Sequence, residues 1–217
     1  MGLDDINRRI RAAEQAAGRK AGSVTLIAVS KVQPPERVEA VLKAGHTVFG
    51  ENYVQETQAK WPDWRTRFPG VAVHMIGPVQ SNKARAAVQL FDAIHTLDRM
   101  TLARKLAQQI DEQGRRPDLF VQVNTGDEPQ KAGILADELP VFLSSCADLG
   151  LQPQGLMCIP PEGEDAVPHF DLLRRLAQDH GLSGLSMGMS ADFEMAIAHG
   201  ATHVRVGSAI FGARNYG

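Results

Sequence analysis

The chain of 217 residues is 43% apolar and 22% charged, enough to bury a substantial core and near the lower size limit of a single α/β barrel. Its 23 lysines and arginines nearly balance 25 aspartates and glutamates, and a formal charge of −2 gives no electrostatic reason for nucleic acid or an anionic membrane as partner. An anion site has to be local.

The opening stretch, MGLDDINRRIRAAEQAA, has helical spacing over 3–17 and no apolar segment of the length that a signal peptide or membrane span needs. Position 6 is not the serine or threonine that N-myristoylation requires, so the expected compartment is the cytoplasm. After this helix, eight short apolar runs alternate with helical patterns. They are VTLIAVS (24–30), TVFGE (47–51), VAVHMIG (71–77), DAIHTL (92–97), DLFVQVN (118–124), PQGLMCI (153–159), GLSM (184–187) and THVRVG (202–207). Helical periodicity is clear over 35–45, 82–91, 98–114 and 191–200, and Pro34-Pro35, Trp61-Pro62 and Pro160-Pro161 read as loop punctuation. Strict β-α alternation predicts a parallel sheet, and eight units in this length predict a closed (β/α)8 TIM barrel over 1–217, one domain with a surplus first helix. Cys146 and Cys158 lack Cys-x-x-Cys spacing and are expected to be buried and reduced, with no metal implied.

In such a barrel the chemistry sits at the carboxyl ends of the strands. Those positions hold Lys31, Glu51-Asn52, Gly77, Asp98, Asn124, Ser186 and Gly207-Ser208. The run LIAVSK delivers an ammonium group at the end of an apolar strand: either the strand has simply reached water, or Lys31 is aimed at a ligand. GLSMGMSADFEMAIAHG places Gly188 and a predicted N-cap, Ser190, before a helix, and VRVGSAIFG makes a second glycine turn after the last strand. Paired loops of this kind are the recurrent phosphate site of the architecture. Arg205 alternates with Val204 and Val206 and so faces the barrel interior, where a ligand atom or a salt bridge to Glu51 or Asp98 has to satisfy it. A desolvated strand-end lysine is a nucleophile toward aldehydes, and with a phosphate cradle on the same mouth the natural ligand is an aldehyde that carries phosphate, such as pyridoxal 5′-phosphate (PLP).

AVSKVQP, FGENYVQE, HMIGPVQSNKAR, VQVNTGDEPQKAG, GLMCIP and LSMGMSADFEMAIAHGATHVRVGSAIFGAR together resemble the signatures of the pyridoxal phosphate homeostasis protein family, across residues 28–214. The resemblance implies a barrel similar to the amino-terminal domain of alanine racemases, with PLP as an internal aldimine on Lys31. It implies Asn52 beside the cofactor, Ser186, Met187, Ser190, Gly207 and Ser208 around the phosphate, and Arg205 facing the pyridine nitrogen. His74 is left outside the site, because a strand histidine is more often a hydrogen-bonded core residue than a catalyst.

The function that the resemblance implies is vitamin B6 homeostasis: the protein holds PLP and buffers or delivers it, with apo PLP-dependent enzymes as transient recipients and no substrate turnover. A monomer is expected, without nucleic-acid or membrane partners. Two features agree. An always-cationic arginine opposes protonation of the ring nitrogen, and only ten residues follow Gly207, leaving no second domain to close the mouth. The alternatives are a PLP-dependent amino-acid racemase or lyase, and a cofactor-free Schiff-base aldolase. Lys83 and Lys131 are the expected rivals of Lys31 as attachment points.

Overall fold

The apolar runs close into a cylinder. The structure, a computed structural model, describes residues 2–212; Met1 and residues 213–217, with the Ala213-Arg214 end of the last quoted motif, lie outside it. The strands are β1 (Thr25–Val29), β2 (Val48–Glu51), β3 (Ala72–Met75), β4 (Ala93–Leu97), β5 (Asp118–Asn124), β6 (Ile134–Leu135), β7 (Gly155–Met157), β8 (Gly184–Ser186) and β9 (His203–Val206). Every pairing is parallel, in the order β1-β2-β3-β4-β5-β7-β8-β9, and β9 pairs back onto β1 through Ala28 and Val206. All eight sequence-predicted strands are therefore present in a closed eight-stranded barrel. The two-residue β6, hydrogen-bonded to the end of β5 at Val123 and Asn124, was not legible as a strand.

The surrounding helices are α1 (Leu3–Ala16), α2 (Pro35–Lys43), α3 (Val54–Arg67), α4 (Ala84–Leu90), α5 (Met100–Gln113), α6 (Leu139–Asp148), α7 (Val167–Asp179), α8 (Phe193–Ala198) and α9 (Ser208–Phe211). Their apolar stripes, such as Leu102, Leu106 and Ile110 on α5, pack against outward strand residues such as Leu26, Ala28, Val204 and Val206 in one large core. Two expectations change. Pro62 lies inside α3 rather than in a loop: Trp61 and Trp64, buried at 1% and 4%, fasten the helix to Phe49, and that burial outweighs a penalty of about 3 kcal/mol for an interior proline. The helix expected over 191–200 shortens to α8, because Asp192 and not Ser190 occupies its N-cap position.

The surplus helix α1 is tied to the barrel by Glu14. Its buried carboxylate accepts hydrogen bonds from Gly22 N, Ser23 Oγ and Val24 N at 2.8–3.2 Å, just before β1 begins.

The inside of the barrel is unusual for this architecture, whose interior layers are dominated by branched aliphatic residues. Ile27, Val29 and Ile76 form a small apolar cluster of their own, while below the mouth stand His74, His95, His203, Phe120, Ser186 and Arg205. Burial keeps all three histidines neutral, with the His74 and His203 rings pushed down to about 4 and His95 well below its ordinary value. On the outer face of β2, Glu51 is fully buried, accepts from Ser30 Oγ at 2.8 Å and Trp61 Nε1 at 3.1 Å, and has an Oε2 with no partner among the described residues. Desolvation pushes its pKa up to about 7.

These shifts have opposite signs in stability. Between pH 6.5 and 4 the unfolded chain protonates histidines that the folded chain keeps neutral, so acidification destabilises. Glu51 takes up its proton in the folded state first, so its contribution rises as pH falls from about 7 to 4.5. The histidines outnumber the carboxylate, and urea midpoints are expected to fall from pH 6.5 to pH 4.5. Glu51→Gln removes the opposing contribution: relative to wild type, the variant should gain about 2–3 kcal/mol on going from pH 5 to pH 8. A pH-independent difference between the two proteins contradicts the assignment.

Candidate functional site

Because all the barrel strands run parallel, their carboxyl ends share one mouth, and a cavity of about 180 Å³ opens there. Val29, Ile76, Ile159 and Met189 supply its apolar wall, and Lys31, Asn52, Ser190, Arg205, Gly207 and Ser208 its polar surface. Six of the eight sequence-predicted site residues are thus brought together. Ser186 is fully buried beneath Arg205, and the Met187 side chain packs outward into the large core, so neither lines the cavity.

Lys31 continues the inward alternation of Ile27 and Val29 into the turn after β1. The next residue, Val32, has φ of 56°, a left-handed conformation rare for a β-branched side chain. Its N–H donates to Glu56 Oε1 at 2.9 Å, and Lys60 Nζ holds the same oxygen at 2.7 Å while reaching Gln33 O at 3.4 Å. Helix α3 therefore clamps the turn that carries Lys31, a role for Glu56 that strand-end reasoning did not find.

Asn52 follows β2 with a buried Oδ1 that has no partner among the described residues. Gly77, read in the sequence as a candidate site residue, acts here as a spacer: a Cβ at that position would lie 2.5–2.8 Å from Asn52 O, Cα and Cβ. Of the other strand-end residues, Asp98 is bonded to Arg99, and Asn124 is bonded to Glu128 O at 2.8 Å, so both stabilise rim loops. Lys131 pairs with Glu128 at 2.6 Å, while Lys83 lines a neighbouring groove of about 420 Å³ with Tyr53, Gln80 and Arg99.

The loops after β8 and β9 form the opposite side of the mouth. Gly188 has φ of 91°, and a Cβ there would come within 2.5 Å of Ala196 Cβ; its carbonyl accepts from Arg205 N at 3.0 Å, which fixes this loop to β9. Asp192 Oδ1 accepts from Met189 N at 2.6 Å. Among the described residues no protein acceptor takes the backbone N–H of Ser190 or Ser208, and both residues line the cavity. With two hydroxyls, these amides suit an anion's oxygen atoms.

Arg205, 5% exposed, gives Nη1 to Ser186 Oγ at 2.8 Å and Nη2 to Cys158 O at 2.9 Å, both neutral acceptors. The salt bridge to Glu51 or Asp98 considered from sequence is not formed, since Glu51 faces the outer layer and Asp98 is taken by Arg99. Burial lowers the Arg205 pKa, Asp192 acts on it only through space, and the guanidinium remains a cation. A buried cation without a bonded carboxylate is expensive unless a ligand supplies acceptor atoms or negative charge. The cavity thus combines an amine, an uncompensated cation, free amides and hydroxyls, a donor set that fits a phosphorylated aldehyde with a ring acceptor. The apolar wall was largely legible: inward alternation marks Val29, Ile76 and, at the end of the run 153–159, Ile159, whereas Met189 lies in a loop and carries no periodic signal.

A family model described as alanine racemase, N-terminal domain, matches residues 2–215. The pyridoxal phosphate homeostasis protein of Pseudomonas aeruginosa is 43% identical, over 98% of this chain and 94% of that protein. The protein of the same name from Escherichia coli K12 is 38% identical, over 99% and 96%. Among solved structures, PipY of Synechococcus elongatus PCC7942 with PLP bound superposes with a TM-score of 0.81 at 38% identity, covering 95% of this chain and all (100%) of that one. Alanine racemase of Clostridium difficile 630, at 13% identity and a TM-score of 0.67 over 56% of its length, shares the fold. The chain belongs to the pyridoxal phosphate homeostasis protein family, built on the alanine racemase N-terminal domain.

Proposed function

We propose that this protein binds PLP at the barrel mouth, with Lys31 Nζ covalently bonded to the aldehyde carbon, and that it buffers the cofactor and hands it on without turning over a substrate. The observation that carries this is the pairing, in one cavity, of Lys31 with a buried Arg205 that has no bonded carboxylate among the described residues. The PLP-bound PipY structure and the names of the relatives support it. Ser190, Gly207 and Ser208 receive the phosphate through amides and hydroxyls, Asn52 lies beside the ring, and Arg205 faces the ring nitrogen. Ser186 and Met187 serve from behind, Ser186 by holding Arg205 and Met187 by anchoring the loop.

When bound, PLP supplies an electrophilic carbon and an electron-withdrawing ring. The chain's own contribution opposes transaminase- or decarboxylase-type chemistry, because a permanent cation at the ring nitrogen disfavours the protonation on which strong electron withdrawal depends; it does not by itself oppose racemisation. Val32, Tyr53, Ile159 and Met189, between 38% and 54% exposed on the loops after β1, β2, β7 and β8, offer apolar surface at the rim to an apo-enzyme that accepts the cofactor.

Incubation with PLP should give a coloured protein whose borohydride-reduced adduct maps by mass spectrometry to Lys31, and Lys31→Ala should remove the absorbance without loss of fold. Pyridoxal should bind about tenfold or more weakly than PLP, and Ser208→Ala should cost roughly five- to thirtyfold in PLP affinity. Amino acids incubated with the loaded protein in deuterated water should keep their α-protons. An adduct chiefly on Lys83 or Lys131, equal affinity for the two aldehydes, or sustained α-proton exchange would each overturn the corresponding part.

A further inference from the structure

Beneath Arg205, four buried side chains from four strands are joined in series. Arg205 Nη1 on β9 lies 2.8 Å from Ser186 Oγ on β8, the same oxygen lies 2.8 Å from His95 Nδ1 on β4, and His95 Nε2 lies 3.0 Å from His74 Nδ1 on β3. Ser186 and His95 are wholly inaccessible, and among the described residues no carboxylate bonds to any of the four.

The chemistry of the first member fixes the direction of the rest. A guanidinium has donors only, so Ser186 Oγ accepts from Arg205. The single hydroxyl proton then has one acceptor within reach, the lone pair of His95 Nδ1. Were Nδ1 protonated and donating instead, the hydroxyl proton would be stranded in a dry interior. His95 therefore carries its proton on Nε2 and donates it to His74 Nδ1, which leaves the His74 proton on Nε2. Phe120, stacked on the His95 ring at 4.2 Å and 8°, holds its plane, and the His203 ring meets its edge at 5.6 Å. A second proton on His95 would set a cation beside Arg205 and displace the serine hydrogen, so burial and the neighbouring charge act in the same sense.

We propose that His95, oriented by His74 and Phe120, positions Arg205 through Ser186, so that the guanidinium presents its remaining N–H groups to the cavity as fixed donors toward a ring acceptor atom. His95 and Ser186 are positioning residues in this arrangement, and its identification of the acceptor as the ring nitrogen of PLP rests on the proposed function. One-way hydrogen bonding makes Arg205 rigid without a carboxylate, which would neutralise the charge that the ligand is to meet.

The direction is tested on unliganded wild-type protein by long-range ¹H–¹⁵N correlation spectra of ¹⁵N-labelled histidines. His95 and His74 should both show an unprotonated Nδ1 and a protonated Nε2; a protonated His95 Nδ1 would overturn the chain. The positioning role is tested with His95→Phe, which keeps the stack but has no acceptor, and His95→Asn, whose carboxamide oxygen replaces Nδ1. His95→Phe should weaken PLP about tenfold and shift its visible band while inorganic phosphate competes within about twofold of wild type, and His95→Asn should recover most of the loss. Wild-type affinity and band in His95→Phe, or equal weakening of PLP and phosphate, would overturn it. Ser186→Ala, read in the same way, decides the question if His95→Phe does not fold. Wild-type protein that shows the expected tautomers yet binds no PLP would contradict the proposed function and leave the hydrogen-bond chain standing.

Discussion

The interaction on which the mouth depends is the burial of one guanidinium with no bonded counter-ion among the described residues. Closure of the sheet forces every second residue of β9 into the barrel, and at position 205 that residue is an arginine whose protein acceptors, a serine hydroxyl and a backbone carbonyl, are neutral. Neutral acceptors offset part of the desolvation and leave the charge intact. The surroundings are consistent with a positive charge kept for a ligand: the adjacent histidines are neutral, the Cys158 thiol is pushed up to about 12 by burial, and the barrel-wall carboxylate Glu51 is turned to the outer layer.

Stability and function are accordingly separated in space. The large apolar core lies between the barrel and its helices, where Trp61, Phe49, Phe91, Phe170 and Phe193 are almost wholly inaccessible, and it holds the cylinder closed. The interior is free to carry polar groups because it is not the principal source of stability. Strain and close approach also mark the upper rim: Val32 in a left-handed conformation beside Lys31, Gly77 against Asn52, and Gly188 against Ala196. Each fixes a loop whose side chains or amides face the cavity.

Much of this was legible in the sequence, for physical reasons. The eight strands are short apolar runs, and period-two alternation places Lys31 and Arg205 inside without any knowledge of closure. Helix α3 was hidden because Pro62 is a strong local signal and the buried tryptophans that override it are a tertiary effect. The N-cap was misplaced at Ser190 because Ser190 and Asp192 are both good capping residues; Asp192 holds the position without a side-chain cap bond, its Oδ1 accepting instead from Met189 N. Ser186 and Met187 were assigned to the phosphate by resemblance, whereas strand pleating sends one beneath Arg205 and the other outward. The histidine series spans four strands, and no local pattern reports contacts at separations of 21 and 91 residues.

The central claim is that Arg205 is retained for a ligand at a cost to the empty protein. Arg205→Met, similar in reach and apolar, separates the two roles when the urea stability of the unliganded protein and its PLP affinity are measured on the same preparation. The account predicts an unliganded variant as stable as wild type or more so, by up to about 3 kcal/mol, together with at least about tenfold weaker PLP binding. A variant that is clearly destabilised when empty, or that binds PLP as wild type does, would contradict it.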